Sequence, residues 1–441
     1  MKKIDADSGL KRDIGFLPAL AIVVGTIIGA GVFMKPAVVL SYAGGSGEAL
    51  TAWVIGGILV LTGGLTVAEL GAMIPKTGGV YAYLEEVYGE TTAYMFGWMR
   101  TVVFAPATLA ALGLYFASIF TQTFGYSQGW IIPIAFISLI TLMLINISGA
   151  KYSGYFQTVA TAVKLLPIIA LAVAGLIFGE NQIIEPTVVP GAPTFAGMGL
   201  AVIACLFAYD GFTNVAVVAG ELRNPAKIIP KATIVGVSTV IVAYLCVNVA
   251  IFHTLSDQSI LQLGKATSAT VAQHLFGSIG GHLLNIGIMI SIFGCMNGYL
   301  LTLARVPYAM ACRNQLPASG WFRKINAKFG TPVNSIVFII VFSFVELVLD
   351  ADWLTNFSIL SLWLFYILTY AGLFILRRRD PDKLRPYKVP LYPYVPAVAL
   401  LGGIFVFVST FVGDPVMSLA SCGLTVVGLP VLWLVRKYGN K

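Results

Sequence analysis

Between Gly25 and Phe33 the chain reads Gly-Thr-Ile-Ile-Gly-Ala-Gly-Val-Phe, inside an apolar stretch running from about Ile14 to Leu40. Gly25, Gly29 and Gly31, with Thr26, weaken a helix midway through a membrane-length segment, where lipid would otherwise demand continuity. Backbone opens inside a bilayer only where protein or a water-filled cavity surrounds it. The groups released have a defined chemistry. A helix restarting at Gly31–Val32 turns unpaired N–H groups and the positive end of its dipole toward the gap, which suits a carboxylate. Carbonyls freed near Thr26 and Ile27 are acceptors for an ammonium. A second interruption is predicted where residues 205–214 read Cys-Leu-Phe-Ala-Tyr-Asp-Gly-Phe-Thr-Asn, with Asp210-Gly211 midway along another apolar segment and freed carbonyls near Phe207 and Tyr209. An ionised residue at that depth is costly unless it faces a cavity or a partner. Receptors for an anion and a cation a few Å apart describe an α-amino acid zwitterion. The competing explanation is that these glycines only let helices pack closely. A dinucleotide site fits worse, because the spacing is GxxxGxG and no strand or ribose-binding acid accompanies it.

The elements that must carry these breaks follow from composition. Of 441 residues, 58% are hydrophobic and 10% charged, against roughly a quarter charged in soluble chains. Apolar runs of membrane-spanning length recur near 14–41, 49–74, 93–122, 129–148, 154–178, 197–219, 233–255, 282–311, 332–349, 353–376, 394–412 and 416–435. The expectation is an all-α membrane protein with twelve transmembrane helices. It forms a single transporter domain over 1–441, since no separate soluble domain fits between the runs. Interruptions in the first and sixth helices are what a five-plus-five inverted repeat produces, with repeats over about 14–178 and 197–376 and extra helices over about 394–435. The charged start, Met1 to Asp13, and the long first apolar run argue against a cleavable signal.

Basic residues set the predicted orientation. Alternate loops give one side Lys2, Lys3, Lys11, Arg12, Lys76, Lys151, Arg223, Lys227, Lys231, Arg313, Arg323, Lys324, Lys328, the Arg377–Arg379 run, Lys383, Arg385, Lys388, Arg436, Lys437 and Lys441. The other side receives only Lys265, so the positive-inside rule places both termini in the cytoplasm of a multi-pass cell-membrane protein. The net charge of +8 then reflects topology and contact with membrane lipids, not nucleic acid. Cys205, Cys246, Cys295, Cys312 and Cys422 fall in or at the ends of apolar segments and read as small hydrophobes. His253, His274 and His282 gather around the outside loop after the seventh segment. No metal site, cofactor or catalytic constellation is expected, and an enzyme would need one.

The Gly25–Phe33 motif, Ala68-Glu69-Leu70-Gly71, the run from Pro75 to Tyr83, Phe207-Ala208-Tyr209-Asp210-Gly211 and the Gly220–Pro225 turn together resemble the L-amino acid transporter family. This is a branch of the amino acid–polyamine–organocation superfamily, and the resemblance spans essentially the whole chain. Among members it is most similar to bacterial serine/threonine and alanine-serine-cysteine exchangers. The resemblance implies the fold of sodium-coupled leucine transporters and sodium-independent exchange of small neutral L-amino acids such as alanine, serine, cysteine and threonine. It places the carboxylate cradle on Ala30, Gly31 and Val32, and the amino-group acceptors on Ile27 and Phe207, with Asp210 a further candidate. Phe207 also matches a bulky gating position. Many relatives have serine where this chain has Ala30, so backbone amides carry the carboxylate alone. Animal relatives join a glycoprotein through a cysteine in the loop after the third segment. Thr121 to Gly129 contains none, so no disulfide-linked heavy subunit is expected.

The predicted substrate-binding set is therefore Thr26, Ile27, Gly29, Ala30, Gly31, Val32, Phe207, Ala208, Tyr209 and Asp210, with Gly25, Lys164 and Ser291 serving transport coupling. Lys164 lies inside the fifth apolar segment. It either snorkels to the edge or substitutes for a sodium ion, bridging the first half-helix near Gly25 to the fifth and eighth helices. The resemblance supports the second reading, because sodium-independent relatives have lysine here; Ser291 and Asn297 are candidate partners. Lys35, Arg100 and Glu69 read as ion-paired or interfacial, and Tyr81, Tyr83 and Tyr88 as belonging to the inner interface. The alternative function is a proton-coupled amino acid symporter of the same fold.

Overall fold

The computed structural model describes residues 14–76, 78–148, 159–184, 194–326 and 331–438. The charged N-terminus, Thr77, Lys151, the start of the fifth predicted segment through Thr158, Lys328 and Lys441 lie outside the described residues. Within them the chain is all helical, apart from one isolated bridge from Ile14 to Leu222. In order the helices are α1 Phe16–Ile27, α2 Gly31–Met34, α3 Pro36–Ala43, α4 Ser46–Met73, α5 Val80–Tyr88, α6 Glu90–Trp98, α7 Ala105–Phe124 and α8 Ile131–Ile147. They continue as α9 Leu165–Phe178, α10 Phe195–Tyr209, α11 Asn214–Val217, α12 Pro225–Thr254, α13 Asp257–Leu263, α14 Thr267–Leu303 and α15 Arg305–Cys312. The last are α16 Ser319–Phe322, α17 Val333–Glu346, α18 Ala351–Arg379, α19 Tyr394–Gly413, α20 Pro415–Val426 and α21 Gly428–Tyr438. Among the described residues, ten helical stretches are long and apolar enough to cross a membrane. Two shorter apolar helices, α10 and α17, occupy positions where the sequence predicts further spans.

Both predicted interruptions exist. Helix α1 stops at Ile27, and Ile28 takes extended dihedrals (φ −72°, ψ 104°) before helix resumes at Gly31. Helix α10 stops at Tyr209; Asp210 is extended (φ −66°, ψ 154°) and Gly211 has φ +113°, which glycine alone adopts without strain. The two breaks touch. A methyl built on Gly31 would run into Cα and Cβ of Ala208, and one on Gly211 would lie 2.8 Å from Thr26 Oγ1. Glycine is thus required for the approach of the two backbones.

Packing around the breaks comes from α4, α7, α12, α14 and α18. Between α6 and α7 the chain widens into a π-helical turn, Met99–Phe104, which carries Arg100. Large aliphatic side chains such as Leu166, Val242 and Val345 face outward, as a lipid-bathed surface permits. At one end, buried Glu69 of α4 accepts from Arg377 Nε (2.9 Å) and Nη2 (2.7 Å) and from the Val389 amide (2.7 Å). A buried carboxylate needs such partners, and this one pins α18 and the chain after it to α4.

Three expectations change. His274 and His282 do not lie in a loop, because α14 begins at Thr267, earlier than hydropathy suggests, and bends at Gly277 (φ 72°). Cys312 is exposed at the end of α15 rather than buried. Tyr81 and Tyr83 are buried within the protein instead of lying at the interface, because α5 packs back against α6 and α18; the Tyr81 hydroxyl donates to Gln315.

Candidate functional site

A helix that stops inside a membrane strands its last carbonyls, and each needs a donor. Here every carbonyl from Gly25 to Gly29 has one from a side chain. Lys164 Nζ donates to Gly25 O (2.6 Å) and Ile28 O (2.7 Å). Cys295 Sγ donates to Thr26 O (3.2 Å), Tyr244 Oη to Ile27 O (2.9 Å), and Ser291 Oγ to Gly29 O (3.5 Å). Lys164 is fully buried. Its ammonium sits against the carbonyl end of α1, where the helix dipole also favours a cation. Asn297, by contrast, accepts from Asn146 Nδ2 (3.0 Å).

The resuming side of the break presents donors instead. Phe33 and Met34 both donate to Ala30 O, whereas the amides of Ala30, Gly31 and Val32 have no acceptor among the described residues. They open a helical run that continues through Lys35 into α3, so N–H groups and a positive dipole end face the break. Ala30, Gly31 and Val32 are all buried.

At the second break Phe207 O accepts from the Asp210 amide (3.3 Å), and Ala208 O lies 3.1 Å from Tyr244 Oη, whose single proton it shares with Ile27 O. One phenol on α12 therefore reaches the ends of both interrupted helices. Thr26 Oγ1 donates to Ile22 O (2.7 Å) within its own helix and lies 3.2 Å from Gly211 O, across the gap. Of the predicted acceptors, Ile27 O and Phe207 O thus already carry protein donors in this state. The Tyr209 side chain points away from the gap to Trp53 O (3.4 Å). Phe207 contacts Tyr115 edge-on, with ring centroids 6.4 Å apart, and lies under Lys35 Nζ at 5.4 Å.

Asp210, Arg100 and Lys35 each contact a partner. Asp210 Oδ2 accepts from Tyr299 Oη (2.7 Å), while Oδ1 is buried without a partner. Arg100 reaches Asn214 Oδ1 (3.3 Å) and lies over the Phe104 ring at 4.7 Å. Lys35, with no exposed surface, donates to Asp352 Oδ1 (2.6 Å) and Thr355 Oγ1 (2.8 Å). The same carboxylate accepts from Tyr115 Oη (2.6 Å) and pairs with Lys265 (3.0 Å). This network ties α2–α3 to α7, α18 and the turn before α14 at one mouth of the gap.

Sequence reasoning placed the breaks, Lys164 and Ser291 at this locus but passed over Tyr244, Cys295 and Asp352. A signal existed for two of them. A phenol in mid-span needs an acceptor, and a buried lysine such as Lys35 needs a carboxylate. Cys295 gave none, since a thiol packs as readily as a methyl group.

The chain matches a family model described as amino acid permease over residues 14–433. It is 44% identical over 436 residues to the serine/threonine exchanger SteT of Bacillus subtilis, covering 98% of each chain. It is 32% identical to the cystine/glutamate transporter of Homo sapiens, over 98% of this chain and 87% of that one. Identity to the large neutral amino acids transporter small subunit 2 of Homo sapiens is also 32%, over 96% and 80%. Two touching helix breaks at the centre of an all-helical, multi-pass membrane protein agree with these matches, and the chain belongs to the amino acid permease family, whose members are transporters rather than enzymes.

Proposed function

We propose that the protein is a sodium-independent exchanger of small neutral L-amino acids, alanine, serine, cysteine and threonine among them, working by alternating access in the cell membrane. The observation that carries this reading is the pairing of free amides at Ala30–Val32 with a carbonyl-rich stretch, Gly25–Gly29, whose centre holds the Lys164 ammonium. The amides receive the substrate carboxylate. Its ammonium takes carbonyls of Ile27 and Phe207, displacing the Tyr244 hydroxyl from Ile27. Thr26, Gly29, Ala208, Asp210 and the Tyr209 backbone shape the same gap. Lys164 supplies the cation that a sodium ion would otherwise supply, with Gly25 and Ser291 as its surroundings.

Small and neutral substrates follow from two features. Gly31 and Ala208 leave little room where the breaks meet, and Lys35 is already paired with Asp352, so it is not free to pair with an acidic side chain. Similarity to a serine/threonine exchanger supports the same class. The architecture in this reading has twelve spans in a five-plus-five inverted repeat with both termini cytoplasmic, and acts without a disulfide-linked subunit. A proton-coupled symporter of the same fold is the second reading, favoured by the unpartnered Asp210 Oδ1. Reconstitution separates the two. Labelled alanine outside, unlabelled serine inside and no ion gradient should give strong trans-stimulated uptake, indifferent to sodium. Uptake that requires a proton gradient overturns exchange.

A further inference from the structure

A crevice of about 340 Å³ lies between the first turns of α12 and the connection from α18 to α19. Lys227 and Lys231 line it with Pro230, Val235, Pro386 and Tyr387. Four residues apart, the two lysines share one helix face. Both are exposed, and among the described residues neither is held in an ion pair. Lys231 Nζ lies 4.8 Å over the Phe16 ring. Tyr387 Oη is buried and has no hydrogen-bond partner. Burial, with the Glu69 charge nearby, pushes this phenol up to about 12, so it remains a donor at neutral pH.

Depth gives the crevice its meaning. Helix α12 has 30 residues, about 45 Å at 1.5 Å per residue, against a hydrocarbon core of roughly 30 Å. The excess length and the two exposed lysines together place its first turns at headgroup level. Val235, 40% exposed, and Val242, 62% exposed, carry an apolar surface on from there. A cationic end at the headgroups and an apolar wall leading inward match one amphiphile. We propose that the crevice binds an anionic phospholipid of the leaflet bordered by the basic loops. Its phosphate lies between Lys227, Lys231 and the Tyr387 hydroxyl, and an acyl chain runs along Val235.

The test is native mass spectrometry of the full-length protein titrated with phosphatidylglycerol or phosphatidylcholine. K227Q/K231Q should weaken phosphatidylglycerol binding about 30-fold, five- to sixfold per lysine, and leave phosphatidylcholine unchanged. Each single variant should show its own five- to sixfold loss, which keeps the test decisive should the double variant misfold. R323Q/K324Q, which removes two exposed charges elsewhere, should change nothing. Equal loss in both double variants, or phosphatidylcholine bound as tightly as phosphatidylglycerol, overturns the proposal. Displacement of the lipid by millimolar inorganic phosphate also overturns it, by assigning the crevice to a soluble anion. None of these outcomes depends on the exchange assay.

Discussion

Replacing Lys164 by alanine removes the donor for two carbonyls at once, Gly25 O at 2.6 Å and Ile28 O at 2.7 Å. Lys164 has no exposed surface, so bulk water cannot take over without entering the protein. An unsatisfied buried acceptor costs about 1–3 kcal/mol, and two of them roughly 2–6 kcal/mol in the state that depends on them. Some of that is offset because a buried ammonium is itself expensive to desolvate. A net effect of ~2–4 kcal/mol shifts a conformational equilibrium by about 30- to 1,000-fold. Lys164→Ala should therefore insert into the membrane and still bind serine measurably, yet exchange at least tenfold more slowly. Arginine should not rescue it, because Lys164 has no exposed surface and a planar guanidinium does not reproduce the compact, freely rotating donors of an ammonium. The assay is trans-stimulated alanine uptake into proteoliposomes at matched protein content, with and without sodium. Wild-type exchange by Lys164→Ala in sodium-free buffer would refute the role given to the ammonium.

Gly31→Ala drives a methyl into the Ala208 backbone, an overpacking of about 1–3 kcal/mol. Exchange should fall by tenfold or more, and a variant retaining half the wild-type rate contradicts the close approach of the breaks. Tyr244→Phe keeps the ring and deletes the one proton shared between Ile27 O and Ala208 O. Turnover should drop about five- to thirtyfold for a loss of ~1–2 kcal/mol, and unchanged initial rates would show that the hydroxyl does nothing in transport. Asp352→Asn leaves the buried Lys35 ammonium without its counter-charge, a loss of roughly 3–5 kcal/mol. The purified variant should unfold at a lower temperature and exchange more slowly, and an unaltered melting curve with unaltered exchange excludes any stabilising role for the pair.

The positions of the helix breaks were legible in the residues because backbone freedom is a local property. Gly29, Gly31 and the Asp210-Gly211 pair weaken the helix where they stand, although Gly25 and the glycines of α4 stay helical. That Gly31 abuts Ala208 and Thr26 faces Gly211 is a relation between segments about 180 residues apart, and no local pattern encodes it. Lys164 was conspicuous as a cation in an apolar run, but its two carbonyls emerge only once the end of α1 is placed beside it. Tyr244, Cys295 and Asp352 belong to helices whose apolar character extends round most of the circumference, so hydropathy does not say which face turns inward. Lipid is the reason for that silence. A membrane helix is apolar toward its solvent and toward its neighbours alike, so composition reveals that the chain spans a bilayer and where its backbone opens, while only packing decides which side chains complete the site.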